Sequence, residues 1–144
     1  MPSPGSDAVE LPMGAVAGDE DVVLRIGGSP ENVRTARLVA AAVARREGLP
    51  EDRVDEVRIA VGEAVTWALN TITDRAVEVV LGPGGELGEQ FVVRVGGGLS
   101  LLSSVATGLP EAGGDDLALA LLRGLADDVH VDGDVTVLTW RDLL

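Results

Sequence analysis

The stretch Glu63-Ala64-Val65-Thr66-Trp67-Ala68 sets a carboxylate and an indole four residues apart. Around it Val54, Val57, Val61, Ala64, Val65 and Ala68 repeat at helical spacing. Residues four apart share a helix face, so Glu63 and Trp67 stand together. The indole has a ring N–H to donate and no lone pair for a hard cation, so the pair cannot act as a metal cage. Asn70 lies one turn further on and reads as a solvated helix end. A second set of chemically able residues is Arg34, Arg37, Arg45 and Arg46, whose guanidinium groups could pair with acids on a partner or simply be solvated. A third is glycine: Gly96-Gly97-Gly98 could form a turn near a ligand, or only a passage from strand to loop. Gly113-Gly114 stands shortly before a helical segment.

Composition narrows the chemistry. With no cysteine in 144 residues, disulfides and cysteine-based metal or redox chemistry are excluded. His130 is the single histidine, which removes a multi-histidine metal site. The formal net charge is −13 and there is no lysine, which argues against direct binding to nucleic acid. A basic patch on a protein partner is the better match for such a surface. No apolar run is long enough to span a bilayer, and no charged-then-apolar leader is present, so a cytoplasmic location is expected.

These residues need elements to hold them. Residues 1–20, rich in Pro, Gly, Ala and acid, read as a flexible tail, and residues 21–144 as one domain. Val22 to Ile26 reads as a strand closed by Gly27-Gly28. Ser29-Pro30-Glu31 opens a helix with the stripe Val33, Ala36, Ala40, Val43 and Ala44, and Gly48 ends it. The second helix starts at Pro50-Glu51-Asp52 and runs to Asn70 or Thr71. Strands follow at Ala76 to Leu81 and Phe91 to Val95, with Gly82-Pro83-Gly84-Gly85 as the turn. Leu117 to Ala126 reads as a third helix, and Asp128 to Val131 with Val135 to Trp140 as a closing hairpin. This order predicts an α+β fold: a two-layer α/β sandwich with helices on one face of a mixed, mostly antiparallel sheet.

The order and these segments together resemble the anti-sigma-factor serine kinases of the GHKL, or histidine-kinase-like, ATPase superfamily. The resemblance runs from Val22 to Leu144. It is carried by Pro30-Glu31-Asn32-Val33-Arg34-Thr35-Ala36-Arg37, by Asp55 to Val65, by Leu119 to Asp127, and by Val135 to Trp140. It implies that Glu63 holds the place of a general base toward a serine hydroxyl. Trp67 then stands where the family has a magnesium-binding asparagine, and should fill space meant for metal and phosphate. Gly96 stands where the family has an aspartate that reads adenine, with Gly98 in the same box. The family's Gly-x-Gly-Leu lid falls on Asp116-Leu117-Ala118-Leu119, with Gly113 and Gly114 a few residues early. Asp115 and Asp116 would favour a helix start and repel a triphosphate.

The resemblance thus implies a nucleotide pocket with three altered boxes. The expected function is a regulatory protein-binding domain, a homodimer that captures a sigma factor or binds a STAS-type anti-anti-sigma protein without phosphoryl transfer. No cofactor is expected on that reading. The alternative is an ATP- and magnesium-dependent serine kinase with unusual nucleotide ligands. A third possibility is a scaffold that pairs with a normal family member.

Overall fold

The computed structural model describes residues 20–72, 76–97, 113–133 and 135–141, and of 113–116 the backbone alone. The expected tail 1–20 therefore falls outside the described residues except for Glu20, and so does Gly98. The element order is β1 (Val22–Ile26), α1 (Glu31–Arg46), α2 (Glu51–Thr71), β2 (Val77–Gly84), β3 (Gln90–Gly97), α3 (Gly113–Leu125), β4 (Asp128–Asp132) and β5 (Val135–Trp140).

The five strands form one sheet in the order β1-β2-β3-β5-β4. Every described pairing is antiparallel, so the sheet expected to be mixed and mostly antiparallel is antiparallel throughout its described strands. Alternation sends Val77, Val79 and Leu81 of β2, and Phe91, Val93 and Val95 of β3, into a core shared with all three helices. The two-layer architecture follows, with the helices on one face only.

Local chemistry explains the helix ends. The Ser29 hydroxyl accepts the Glu31 N–H at 3.3 Å, and the Asn32 amide donates to the Gly27 carbonyl at 3.0 Å, which fixes the turn from β1 into α1. Gly48 takes φ +96° after α1, and the Leu49 N–H reaches back to the Ala44 carbonyl, a six-to-one bond that closes the helix. Leu49 is buried beside it. The predicted stripe of α2 is buried in full, with Ala60 and Gly62 added.

Three boundaries differ from expectation. β2 continues through Gly82, Pro83 and Gly84, which pair with Val92, Phe91 and Gln90. The turn lies instead at residues 85–89, with Gly85 and Gly88 at φ +80° and +73°. Gly96 is still within β3, opposite Glu78. Finally, α3 begins at Gly113, four residues before the expected Leu117.

Candidate functional site

Helix α2 carries two different flanks. Along one, Arg53 reaches Asp127 just past the end of α3, and Glu56, Ala60, Glu63 and Trp67 follow at spacings of three or four. Glu63 and Trp67 are both half-buried on this flank, one turn apart. Along the other flank Gly62, Thr66 and Leu69 face α1.

On the α1 side the two helices enclose a cleft of about 830 Å³. Pro30, Arg34 and Arg37 form one wall, and Thr66, Leu69 and Asn70 the other. Asn70 is thus part of a cleft wall rather than only a solvated end. Glu63, Trp67 and Gly96 are not among the residues lining this cleft. The pair Glu63 and Trp67 thus lies outside the cleft that Arg34 and Arg37 line, in keeping with their separation in the sequence.

The arginines divide as well. Arg45 makes a two-pronged bridge to Glu51, at 2.9 and 3.1 Å. Arg46 pairs with Glu47 at 2.7 Å and donates to the Glu20 carbonyl at 2.6 Å. Arg53 pairs with Glu56 and Asp127, Arg58 with Asp55, and Arg141 with Asp128. Arg34 and Arg37 form no ion pair with any described residue and stay exposed in the cleft. Of the four arginines expected to be open to a partner, Arg45 and Arg46 are already committed within the chain.

Arg37 has a particular seat. Its guanidinium crosses α2 over Gly62, where an added Cβ would come within 2.9 Å of Cζ. Thr66 binds its own helix, its hydroxyl donating to the Gly62 carbonyl at 2.8 Å. The cleft thus presents two guanidinium groups and the Glu31 carboxylate from the α1 side, and the Thr66 hydroxyl and Asn70 amide from α2, with apolar Leu69 between them.

The positions that the resemblance matched to a nucleotide pocket offer a sparse donor set. Glu63 supplies one carboxylate and Trp67 an indole that offers a cation no lone pair. Gly96 has no side chain, and its backbone is held in the ladder opposite Glu78. Gly113 and Gly114 open α3, so with residues 115 and 116 they make up its first turn, where helix N–H groups are unpaired. Among the described residues no three His, Cys, Asp or Glu side chains come together.

A family model for the histidine kinase-like ATPase domain matches residues 26–141. The chain belongs to that family. No curated protein matches it. The match covers every element from the last residue of β1 to the end of β5, in agreement with helices packed on an antiparallel sheet. Histidine kinase-like ATPase domains of this type are typical of anti-sigma-factor serine kinases. Among the described residues no helix is long and apolar enough to cross a membrane.

The cleft walls Pro30, Thr66 and Leu69 had no signal in the sequence as site residues. Arg34 and Arg37 did, because arginines clustered on the first helix of an acidic chain stand out, but sequence could not tell them from Arg45 and Arg46.

Proposed function

We propose that this histidine kinase-like ATPase domain works as a regulatory protein-binding module, of the anti-sigma-factor kind, that captures a sigma factor or a STAS-type regulator without transferring phosphate. The observation that carries this reading is the cleft between α1 and α2, where Arg34 and Arg37 form no ion pair with a described residue in a chain with 24 acids and 11 bases. Such cations favour acidic side chains on a docking protein, in the planar geometry that arginine supplies. The acidic remainder of the surface suits basic patches on the same partner.

The flank with Glu63 supports the second half of the proposal. Trp67 and Gly96 take the places of a metal ligand and an adenine acceptor, and neither can do that work. The residues present do not fit magnesium-ATP, and no phosphoryl-transfer step is assigned to them. Glu63 is then a helix-surface carboxylate rather than a base. Partner capture needs a complementary surface and no nucleotide, so the two halves are compatible.

Calorimetric titration with ATP and ADP, with and without magnesium, tests the reading together with a sigma-factor binding assay. The expected result is no nucleotide heat, and sigma-factor binding that weakens by at least about tenfold in the Arg34→Glu/Arg37→Glu variant. Micromolar magnesium-dependent ATP binding would favour the active serine kinase instead.

A further inference from the structure

Three buried valines have no place in the core. Val80, Val92 and Val135 are 5, 9 and 7 % exposed, yet none belongs to the cluster packed under the helices. Alternation puts them on the opposite face of the sheet. Val79 and Leu81 on either side of Val80 point into the core, as do Phe91 and Val93 around Val92. Val135 precedes Thr136, which pairs with the core residue Val95. On the same outer face Val23 stands opposite Val80, and Val137 opposite Arg94. A platform of valines thus crosses β1, β2, β3 and β5. An antiparallel sheet with one solvated face carries polar residues on that face, and this one carries valines. Among the described residues no helix or strand lies over them, because the helices pack on the other side. Strand neighbours screen the flanks of a valine and not its tip, so exposures below one tenth call for a cover.

Charge on this face narrows what the cover can be. Arg25 and Arg94 share the face, and neither forms an ion pair with a described residue. Glu78, opposite Arg25, is the acid beside them. The acids Asp128 and Asp132 stand at the far edge on β4. An acidic, apolar occupant is therefore drawn to β1, β2 and β3 and turned away from β4. One segment of this chain has that chemistry. Residues 1–19 hold the acids Asp7, Glu10 and Asp19 and no base, and the run from Leu11 to Ala17 is uncharged and mostly apolar. The chain also enters the domain at the right place. Asp21 lies on the outer face against Gly82, where an added Cβ would strike its carboxylate, and the Glu20 carbonyl is held by Arg46. From Gly82 to Val135 is two strands across and four residues along, roughly 16 Å, which about five extended residues span. The run from Leu11 to Ala17 has that reach.

We propose that the segment from Leu11 to Ala17 docks on the outer face of the sheet, over Val80, Val92 and Val137, with the acids around it facing Arg25 and Arg94. Docked there, it keeps an apolar face from other chains. It leaves the cleft between α1 and α2 open, because that cleft belongs to the helical layer. The inference does not depend on what the cleft binds.

The chain has no cysteine, so a single nitroxide can be attached to the full chain through Ala15→Cys. The methyl resonances of Val80, Val92 and Val137 should broaden several-fold more than those of Leu38 and Ile59, which are exposed on the helices. Met13→Asp/Val16→Asp in the labelled chain should abolish this selectivity and lower Tm by about 4 °C. Both positions precede the domain, so its fold is not at stake, and far-ultraviolet circular dichroism checks this. Arg94→Glu should reduce the selective broadening by repelling the acids of the segment. Broadening without selectivity, or centred on the helical side, overturns the proposal. So does a Tm indifferent to Met13→Asp/Val16→Asp. A mixture of nitroxide-bearing chains with isotope-labelled, nitroxide-free chains separates the remaining case. The valines of the nitroxide-free chains should stay sharp, and their broadening would overturn the proposal by making the cover a second copy.

Discussion

The guanidinium of Arg37 lies on Gly62, one residue before Glu63 on the neighbouring helix. The contact exists because residue 62 has no Cβ. An alanine there would meet Nε, Cζ and Nη2 of Arg37, all at the far end of a flexible side chain, so the arginine and not the backbone would yield. Glycine inside a helix costs about 1 kcal/mol relative to alanine. Gly62→Ala should therefore hold or raise stability by up to about 1 kcal/mol while turning Arg37 out of its seat. Thermal melts and partner binding read the two effects separately. A clear loss of stability would show that Arg37 cannot move aside.

Trp67→Asn places an amide oxygen on α2 one turn from Glu63. It leaves Gly96, which has no side-chain acceptor and is paired opposite Glu78. The variant should gain no magnesium-dependent ATP binding by calorimetry. Tight binding would mean that one side chain had been the whole barrier, and the kinase reading would then lead.

How far the sequence foretold this molecule depends on the kind of signal. β1, α1, α2 and the β4–β5 hairpin came from caps, stripes and alternation, which are local, and their bounds differ from the structure by a residue or two. β2 was read as stopping before Gly82-Pro83-Gly84, because those residues usually turn. The reason they do not lies in the sheet: the register with β1 ends at Val22 opposite Leu81, so beyond that point one side of β2 is open, where a strand can carry a proline. The start of α3 at Gly113 contradicts helix propensity and was missed for that reason. The division of the arginines is not local at all. Arg45 meets Glu51 only because Gly48 reverses the chain between α1 and α2, and no spacing rule distinguishes it from Arg34.

Trp140 is fully buried at the end of β5, its ring 6.0 Å from that of Phe91. Its indole N–H donates to the Leu125 carbonyl at 3.1 Å, satisfying one of the unpaired carbonyls at the end of α3. Trp140→Phe removes both the donor and part of the buried volume. It should cost about 2–3 kcal/mol in urea unfolding, the sum of a lost buried hydrogen bond and a partial cavity. A cost under about 0.5 kcal/mol would show that α3 does not depend on this tie.

Asp127 joins three elements. Its Oδ2 accepts from Arg53 Nη2 of α2 at 2.7 Å and from the backbone N–H of Arg141 after β5 at 2.8 Å. Burial alone would push this carboxyl up, but the Arg141 N–H, the Arg53 hydrogen bond and the two positive charges outweigh it and hold it below the usual carboxylate range. The folded state therefore binds this proton less tightly than the unfolded chain. The stabilisation is complete above the unfolded value of about 3.9 and fades as pH falls through the lower folded value. Asp127→Asn should cost about 1 kcal/mol at pH 7, the upper end for a pair that keeps some contact with water. In urea unfolding repeated toward pH 3, the gap between parent and variant should narrow. A gap that stays constant into acid would mean that Asp127 contributes through shape and hydrogen bonding alone, with its charge adding nothing.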